Sequence, residues 1–330
     1  MINMHGARTQ ERENSVRQTI TQATDRPDGI LLVNKPANMT SAAVVSRIKR
    51  LPGVKKTGHT GTLDPFATGM LICPVNRATR LSRFFLHGTK QYRAVMSLGT
   101  ETDTLDCTGE VTARRPVKAL SEDRIRQAVQ SFAGDIQQVP PVFSALKHNG
   151  VPLYRYARNG TPVEKPARTV HIESIRVTDI DLPDICFDVT CSAGTYIRSL
   201  CADIGHALGC GGHLSRLMRT ESCGFGIADA AEMADLEKVQ TRAELQPWII
   251  SMAGAIADMP AYNADPGLLE KIRHGRPIAA DDLQPEPATN AGGRIRILDP
   301  EERLVAVIEK KTDKSPDKID YSYCCVFHYT

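Results

Sequence analysis

Along the chain, short apolar runs alternate with amphipathic stretches. Ile30-Leu31-Leu32-Val33-Asn34 is apolar at four successive positions, which predicts a buried strand, and Lys35-Pro36 ends it. Thr40 or Ser41 caps the next helix, Ser41 to about Leu51, where Ala42, Val45 and Ile48 recur at helical spacing. A loop rich in Gly and Thr runs from Gly53 to Gly69. Met70 to Val75 predicts a second buried strand, Ala78 to Leu86 a helix, and Gln91 to Leu98 an alternating strand. Ser121 caps a helix over 121–132, whose first turn holds Glu122 and Asp123 at the positive end of the helix dipole. Gln138-Val139-Pro140-Pro141 is a break, followed by a tyrosine-bearing helix near Tyr154 to Arg158. Strand-like stretches at 168–178 and 185–191 lead to Gly194-Thr195-Tyr196-Ile197-Arg198 and a helix to about Leu208.

Strands and helices are mixed here without strict strand–helix–strand alternation, which places the fold in the α+β class. Beyond about residue 250 prolines become frequent (Pro260, Pro266, Pro277, Pro287) and short strands end in Tyr321-Ser322-Tyr323-Cys324-Cys325-Val326, which predicts a small all-β appendage. Residues 1–28 are polar, without periodicity and balanced in charge. They lack an apolar signal core and are too acidic for a mitochondrial presequence, so they are expected to form a disordered extension. The expected division is thus 1–28, 29–250 and 251–330. With 330 residues, 41% hydrophobic and 24% charged, wholesale disorder, collagen and coiled coil are excluded. No apolar run approaches the ~18 residues of a membrane span. Nine cysteines without a regular framework read as reduced thiols of a cytoplasmic protein. Cys210-x-x-His213, with His206 and Cys223 nearby, offers one loose ligand pair where a closed zinc site needs two, so no metal is expected.

Charge changes the picture. The net charge is only +3, yet ten Lys and Arg lie between Arg47 and Arg93 against one acid, Asp64. Such clustering is the footprint of a polyanion site, because neutralising phosphates releases counterions. An anion at the centre of a phosphate-binding surface gains nothing unless it does chemistry. It sits in Gly58-His59-Thr60-Gly61-Thr62-Leu63-Asp64-Pro65-Phe66-Ala67-Thr68-Gly69, where Pro65 pushes Asp64 toward extended backbone. Taken alone, an Asp-Pro turn explains the residue equally well.

The segment Gly58–Gly69 resembles the catalytic signature of the bacterial tRNA pseudouridine-55 synthases, the TruB family. Further blocks match in order: Lys35-Pro36-Ala37-Asn38-Met39-Thr40-Ser41, Lys90-Gln91-Tyr92-Arg93, Thr102-Asp103-Thr104-Leu105-Asp106, Pro140 to Lys147 with Tyr154 and Arg158, Gly194-Thr195-Tyr196-Ile197-Arg198 and Leu217-Met218-Arg219-Thr220. They cover about 30 to 225. Asn38 departs from the family's usual Gly, and Asn tolerates left-handed backbone better than most residues. Ile272 to Ile278 resembles the PUA pattern.

The resemblance implies a pseudouridine-synthase core, a central mixed and mainly antiparallel sheet flanked by helices, with a small C-terminal PUA-like β-barrel that binds RNA. It implies isomerisation of uridine 55 in the T-loop of tRNA, after the nucleotide is flipped out. By resemblance Asp64 is the nucleophile, Arg198 its guanidinium partner and Tyr92 the ring against the uracil. His59 fills the vacated stack, Tyr196 and Leu217 wall the pocket, and Lys35 contacts phosphate or supports the loop. The expected partner is the T-arm and elbow of tRNA, met by a monomer without cofactor or obligatory protein partner. A tRNA-folding chaperone and a guide-RNA-dependent ribosomal-RNA synthase share these features and stay as alternatives.

Overall fold

The computed structural model describes residues 26–117, 120–285, 287–289, 292–311 and 320–329. The extension expected over 1–28 lies outside the described residues up to 25. Pro27 and Asp28 belong to the packed chain: Asn76 Nδ2 donates to Pro27 O at 3.0 Å, and Asp28 Oδ1 accepts from Arg77 N at 2.9 Å.

In chain order, β1 (Gly29–Lys35), α1 (Ser41–Ile48) and β2 (Thr68–Val75) flank the Gly/Thr-rich loop. They are followed by β3 (Lys90–Leu98), α2 (Glu122–Gln130), β4 (Gly134–Gln138) and α3 (Leu153–Arg158). Then come β5 (Arg168–Asp181), β6 (Asp184–Cys191), α4 (Ile197–Leu208) and β7 (Gly212–Ser222). One ten-stranded sheet takes the order β1-β2-β7-β3-β6-β5-β4, extended by three short strands at 225–226, 231–232 and 249–251. Pairing is antiparallel except between β2 and β7 and at 231–232. The architecture is the expected mixed, mainly antiparallel sheet with helices.

Strand β1 is buried on both faces, as its unbroken apolar run requires. Leu31 and Val33 pack with Val44 and Ile48 of α1, while Ile30 and Leu32 face a second core. Thr40 caps α1, its hydroxyl accepting from Ala43 N at 3.0 Å, worth about 1 kcal/mol. The buried stripe is Ser41, Val44 and Ile48; the predicted Ala42 is exposed and Val45 only half-buried. The stripe shifts because buried Ser41 is bonded to the loop described below. The helix expected over Ala78–Leu86 is a 3-10 segment, Asn76–Leu81, followed by one helical turn, Ser82–Phe85. β3, β6 and β5 turn one face into the largest core, against α2 and α4. Their other face is polar: Arg93 lies opposite Asp188 and Asp188 opposite Arg176, with N–O distances of 2.9 and 3.7 Å.

The second region holds a five-stranded sheet: 261–263, β8 (Arg294–Leu298), β9 (Leu304–Lys310), β10 (Asp320–Val326) and 278–279. This is the strand half-barrel of a PUA-like unit. It is not all-β: α5 (Pro266–Arg273) buries Leu268 and Ile272 against Ile295 and Ile297. Asp265 caps α5, its carboxylate accepting from Leu268 N at 2.7 Å, and Pro266 occupies the first turn, where a missing N–H costs nothing. Nor is the boundary at 250 a gap in packing, for Met252, Ile256, Met259, Leu298, Leu304, Val307 and Phe327 share one core with Ile30, Leu32, Met70 and Ile72. Among the described residues, no helix is long and apolar enough to cross a membrane.

Candidate active site

The loop from Gly53 to Gly69 folds back along β2, with Thr60 N donating to Ile72 O at 3.1 Å and Asn76 N donating to Lys56 O at 2.7 Å. Asp64 is then gripped from both sides. Before it, Leu63 N donates to Ser41 Oγ at 2.9 Å, and Ser41 Oγ donates back to Leu63 O at 3.1 Å. After it, Lys35 Nζ donates to Pro65 O at 3.1 Å, and also to Pro36 O at 2.9 Å and Met39 O at 2.6 Å. The turn around Lys35 contains Asn38 at φ 61°, the left-handed geometry that its departure from Gly raised. Gly69 is required where the loop joins β2: a Cβ there, at φ +105°, meets Arg219 O at 2.3 Å.

Arg198, in the first turn of α4, meets the carboxylate. Its Nε lies 2.9 Å from Asp64 Oδ2, and Nη2 donates to Asp64 Oδ1 at 3.2 Å. The guanidinium also donates to Thr104 O at 3.0 Å and Phe143 O at 2.9 Å, so its plane is fixed by backbone from two further loops. Its side chain is 4% exposed and that of Asp64 31%. The anion therefore faces outward from a cation sealed behind it. Burial raises the Asp64 pKa above the usual carboxylate value, Arg198 opposes this, and the burial wins.

Asp64 is not the only carboxylate at this guanidinium. Buried Asp106 lies 3.6 Å from Arg198 Nη1, and its Oδ1 is occupied by Thr104 Oγ1 (2.8 Å), Thr108 N (2.9 Å) and Thr108 Oγ1 (2.6 Å). Asp106 is a fixed counter-charge rather than a reactive group, and it helps raise the Asp64 pKa. It sits in the 102–106 block, which the sequence matched without assigning a role.

Tyr92 on β3 is buried in one cluster with Leu63 and Leu217, and burial raises its phenol pKa. Leu217 on β7 is also core-packed, and its carbonyl accepts from Thr68 Oγ1 at 3.4 Å. Tyr196 stands at the N-terminal end of α4. Its N donates to Gln138 Oε1 at 2.7 Å, its O accepts from Gln138 Nε2 at 3.0 Å, and Arg168 lies 5.2 Å over its ring. His59 is half-buried on the loop, its Nδ1 accepting from Gly61 N at 3.4 Å, and burial with Arg219 nearby lowers its pKa. Lys35 is fully buried and its ammonium donates to three main-chain carbonyls, one of them in the signature loop. Desolvation lowers its pKa to about 8. Ser41, Gln138 and Arg219 were missed as site residues; all three are buried polar groups inside or beside matched blocks.

The basic window divides. Lys90 is buried, Arg47 pairs with Glu237, and Arg93 lies on the polar face of the sheet. Lys55, Lys56, Arg77, Arg80, Arg26 and His328 line a cleft of about 360 Å³ where the first region meets the second, together with one acid, Asp28, which pairs with Arg77 at 3.4 Å. The cleft lies at the Gly29/Val75 end of the β1–β2 pair; Asp64 lies at the Lys35/Gly69 end. Six residue steps at ~3.3 Å separate the two ends, roughly 20 Å.

Comparison with known proteins identifies the family. The family model described as TruB family pseudouridylate synthase, N-terminal domain, matches residues 49–197, and that for the tRNA pseudouridylate synthase B C-terminal domain matches 198–255. The chain is 41% identical over 280 residues to tRNA pseudouridine synthase B of Burkholderia pseudomallei (strain 668), covering 85% of this chain and 92% of the relative. It is 41% identical over 287 residues to the protein of the same name from Thiobacillus denitrificans (strain ATCC 25259 / T1), covering 87% and 93%. A chain in the crystal structure of a Cbf5-Nop10-Gar1 complex superposes with a TM-score of 0.71 at 26% identity, covering 95% of this chain and 93% of that one. With a signature loop built around Asp64 and Arg198, and relatives matched over most of their length, the chain belongs to the TruB family of pseudouridylate synthases.

Proposed function

We propose that this protein converts uridine 55 in the T-loop of tRNA to pseudouridine, with Asp64 as the reacting carboxylate and no cofactor or protein partner. The relatives' name, tRNA pseudouridine synthase B, supports the substrate class. The observation that carries the mechanism is the one-sided burial of the ion pair: Arg198 sealed, Asp64 open to a ligand. Breaking the N1–C1′ bond develops positive charge at C1′, which an oriented carboxylate stabilises or traps. The uracil stays bound and is rejoined through C5, so one carboxylate suffices. Tyr92 supplies a ring for the base to lie against, Leu217 and Tyr196 wall the space, and His59 occupies the gap left by a flipped nucleotide. The basic cleft supports docking of a longer RNA that also reaches the loop.

The test is tritium release from 5-labelled uridine in a T-arm stem-loop, with purified protein alone as a monomer. Release by the wild type and none by Asp64→Asn is expected. No release, or an equally active Asn variant, overturns the reading. The same assay separates the alternatives: a guide-dependent synthase is silent without guide RNA, and a pure folding helper is silent altogether.

A further inference from the structure

Arg219 is among the largest fully buried side chains of the protein, 2% exposed, and nothing above assigns it a part in the reaction. Its Nε donates to Met70 O at 2.6 Å and its Nη2 to Gly61 O at 3.1 Å, which ties the signature loop to β2. Two carbonyls do not neutralise a cation, and among the described residues no carboxylate pairs with it. Removing a charge from water carries a large desolvation penalty, so a tether alone is a poor reason to keep a guanidinium there. The β3–β7 register sets Arg219 directly opposite Tyr92, and directly opposed residues project to the same face with Cβ atoms about 5 Å apart.

We propose that Arg219 is a positioning residue for Tyr92: its buried guanidinium fixes the phenol oxygen at the reacting base and stabilises the phenolate form. The groups acting on Tyr92 are Arg219 from β7, Cys191 from β6 and Asp64 from the loop. The thiol of Cys191 is pushed up to about 11, hence neutral at ordinary pH, and Asp64 raises the phenol, so Arg219 alone among them favours its ionisation. The nearby cations Lys35 and Lys90 are bonded to main-chain carbonyls. Arg219 thus acts on the phenol from behind, out of reach of substrate. This role rests on the proposed reaction, but its first test does not.

A difluorotyrosine placed at position 92, whose phenol ionises in an accessible pH range, is titrated by absorbance in the free protein, with native Arg219 and with Arg219→Met or Arg219→Lys. The Met variant is expected to raise the midpoint by about one pH unit or more, and Lys, which keeps the charge, to hold it near the native value. With native Tyr92 and stem-loop RNA, Arg219→Met is expected to lower kcat about tenfold or more with KM within about twofold, and Arg219→Lys to recover part of the loss. If the Met variant does not fold, Arg219→Gln takes its place in both measurements. An unmoved midpoint overturns the proposal, as does a loss confined to KM. A wild type that releases no tritium from RNA removes the functional reading, while the titration still decides the link between Arg219 and Tyr92.

Discussion

The two ends of the β1–β2 strand pair carry cations in opposite ways. At the Lys35/Gly69 end Lys35, Arg198 and Arg219 are buried, with donors committed to main-chain carbonyls or to a carboxylate. At the Gly29/Val75 end Lys55 and Lys56 are exposed, and among the described residues neither side chain has an ion-pair partner. Burial fixes a charge in place: its donors are committed to particular partners, and for Lys35 desolvation also lowers the pKa to about 8. Exposure makes charges interchangeable, because a solvated ammonium acts on a phosphate chiefly by its sign. The described cations are therefore of two kinds: Lys35, Arg198 and Arg219, outside the basic stretch in sequence, gather at the signature loop, while Lys55 and Lys56 within it line the cleft at the far end of the strand pair.

Substitutions break this contrast in order of size. Asp64→Asn is expected to cost at least about a thousandfold in turnover while RNA affinity, read by filter binding, stays within a few-fold. Equal losses in both place Asp64 in binding. Arg198→Lys keeps the charge but not the planar fork, and about a hundredfold loss of kcat is expected. Its acid limb should move to higher pH, because Arg198 is what holds the Asp64 pKa down against burial. At the other end Lys55→Gln with Lys56→Gln is expected to weaken RNA binding about tenfold and to flatten the slope of log Kd against log salt by up to about two. Lys55→Arg with Lys56→Arg should leave both unchanged, which the Arg198 site does not allow. The smallest effect is a pH slope. The folded protein releases the Lys35 proton near pH 8 and the unfolded chain near 10.5, so between those values the unfolded state binds more protons. This group therefore makes stability rise with pH across that window, by at most about 1.4 kcal/mol per pH unit, and adds no slope below it. Urea unfolding from pH 7 to 10 should show a less positive pH slope in Lys35→Met than in the wild type, by up to that amount.

Elements that rest on apolar pattern were legible in the sequence. β1, β2, β3, the cap of α1 at Thr40 and the cap of α2 at Ser121 follow from local chemistry, and the structure has them within a residue or two. The central strand β7 was not, because in His213-Leu214-Ser215-Arg216-Leu217-Met218-Arg219 its pattern carries a buried arginine and is broken by register shifts. α5 was hidden by Pro266, which marks a helix start as readily as a loop. At the site, the pairing of Asp64 with Arg198 was read from two matched blocks 134 residues apart. Loop support by Lys35 was one of two readings, and the contacts of Ser41 and Asp106 were not legible, since each depends on which carbonyl or hydroxyl the fold brings to a buried polar group. The charge count likewise could not say that Arg93 and Lys90, three residues apart, leave the cluster in different directions.

The core shared by Ile30, Leu32, Met70 and Ile72 with Met252 to Met259, Leu298 and Phe327 bears on how such a chain diversifies. A crossover at residue 250 that exchanged the C-terminal segment for an unrelated one would strip the back of the catalytic strands of their apolar cover. Inheritance of this terminal unit is thus bound to the sheet it lies on, and sequence drift on either side of the seam has to be matched by the other.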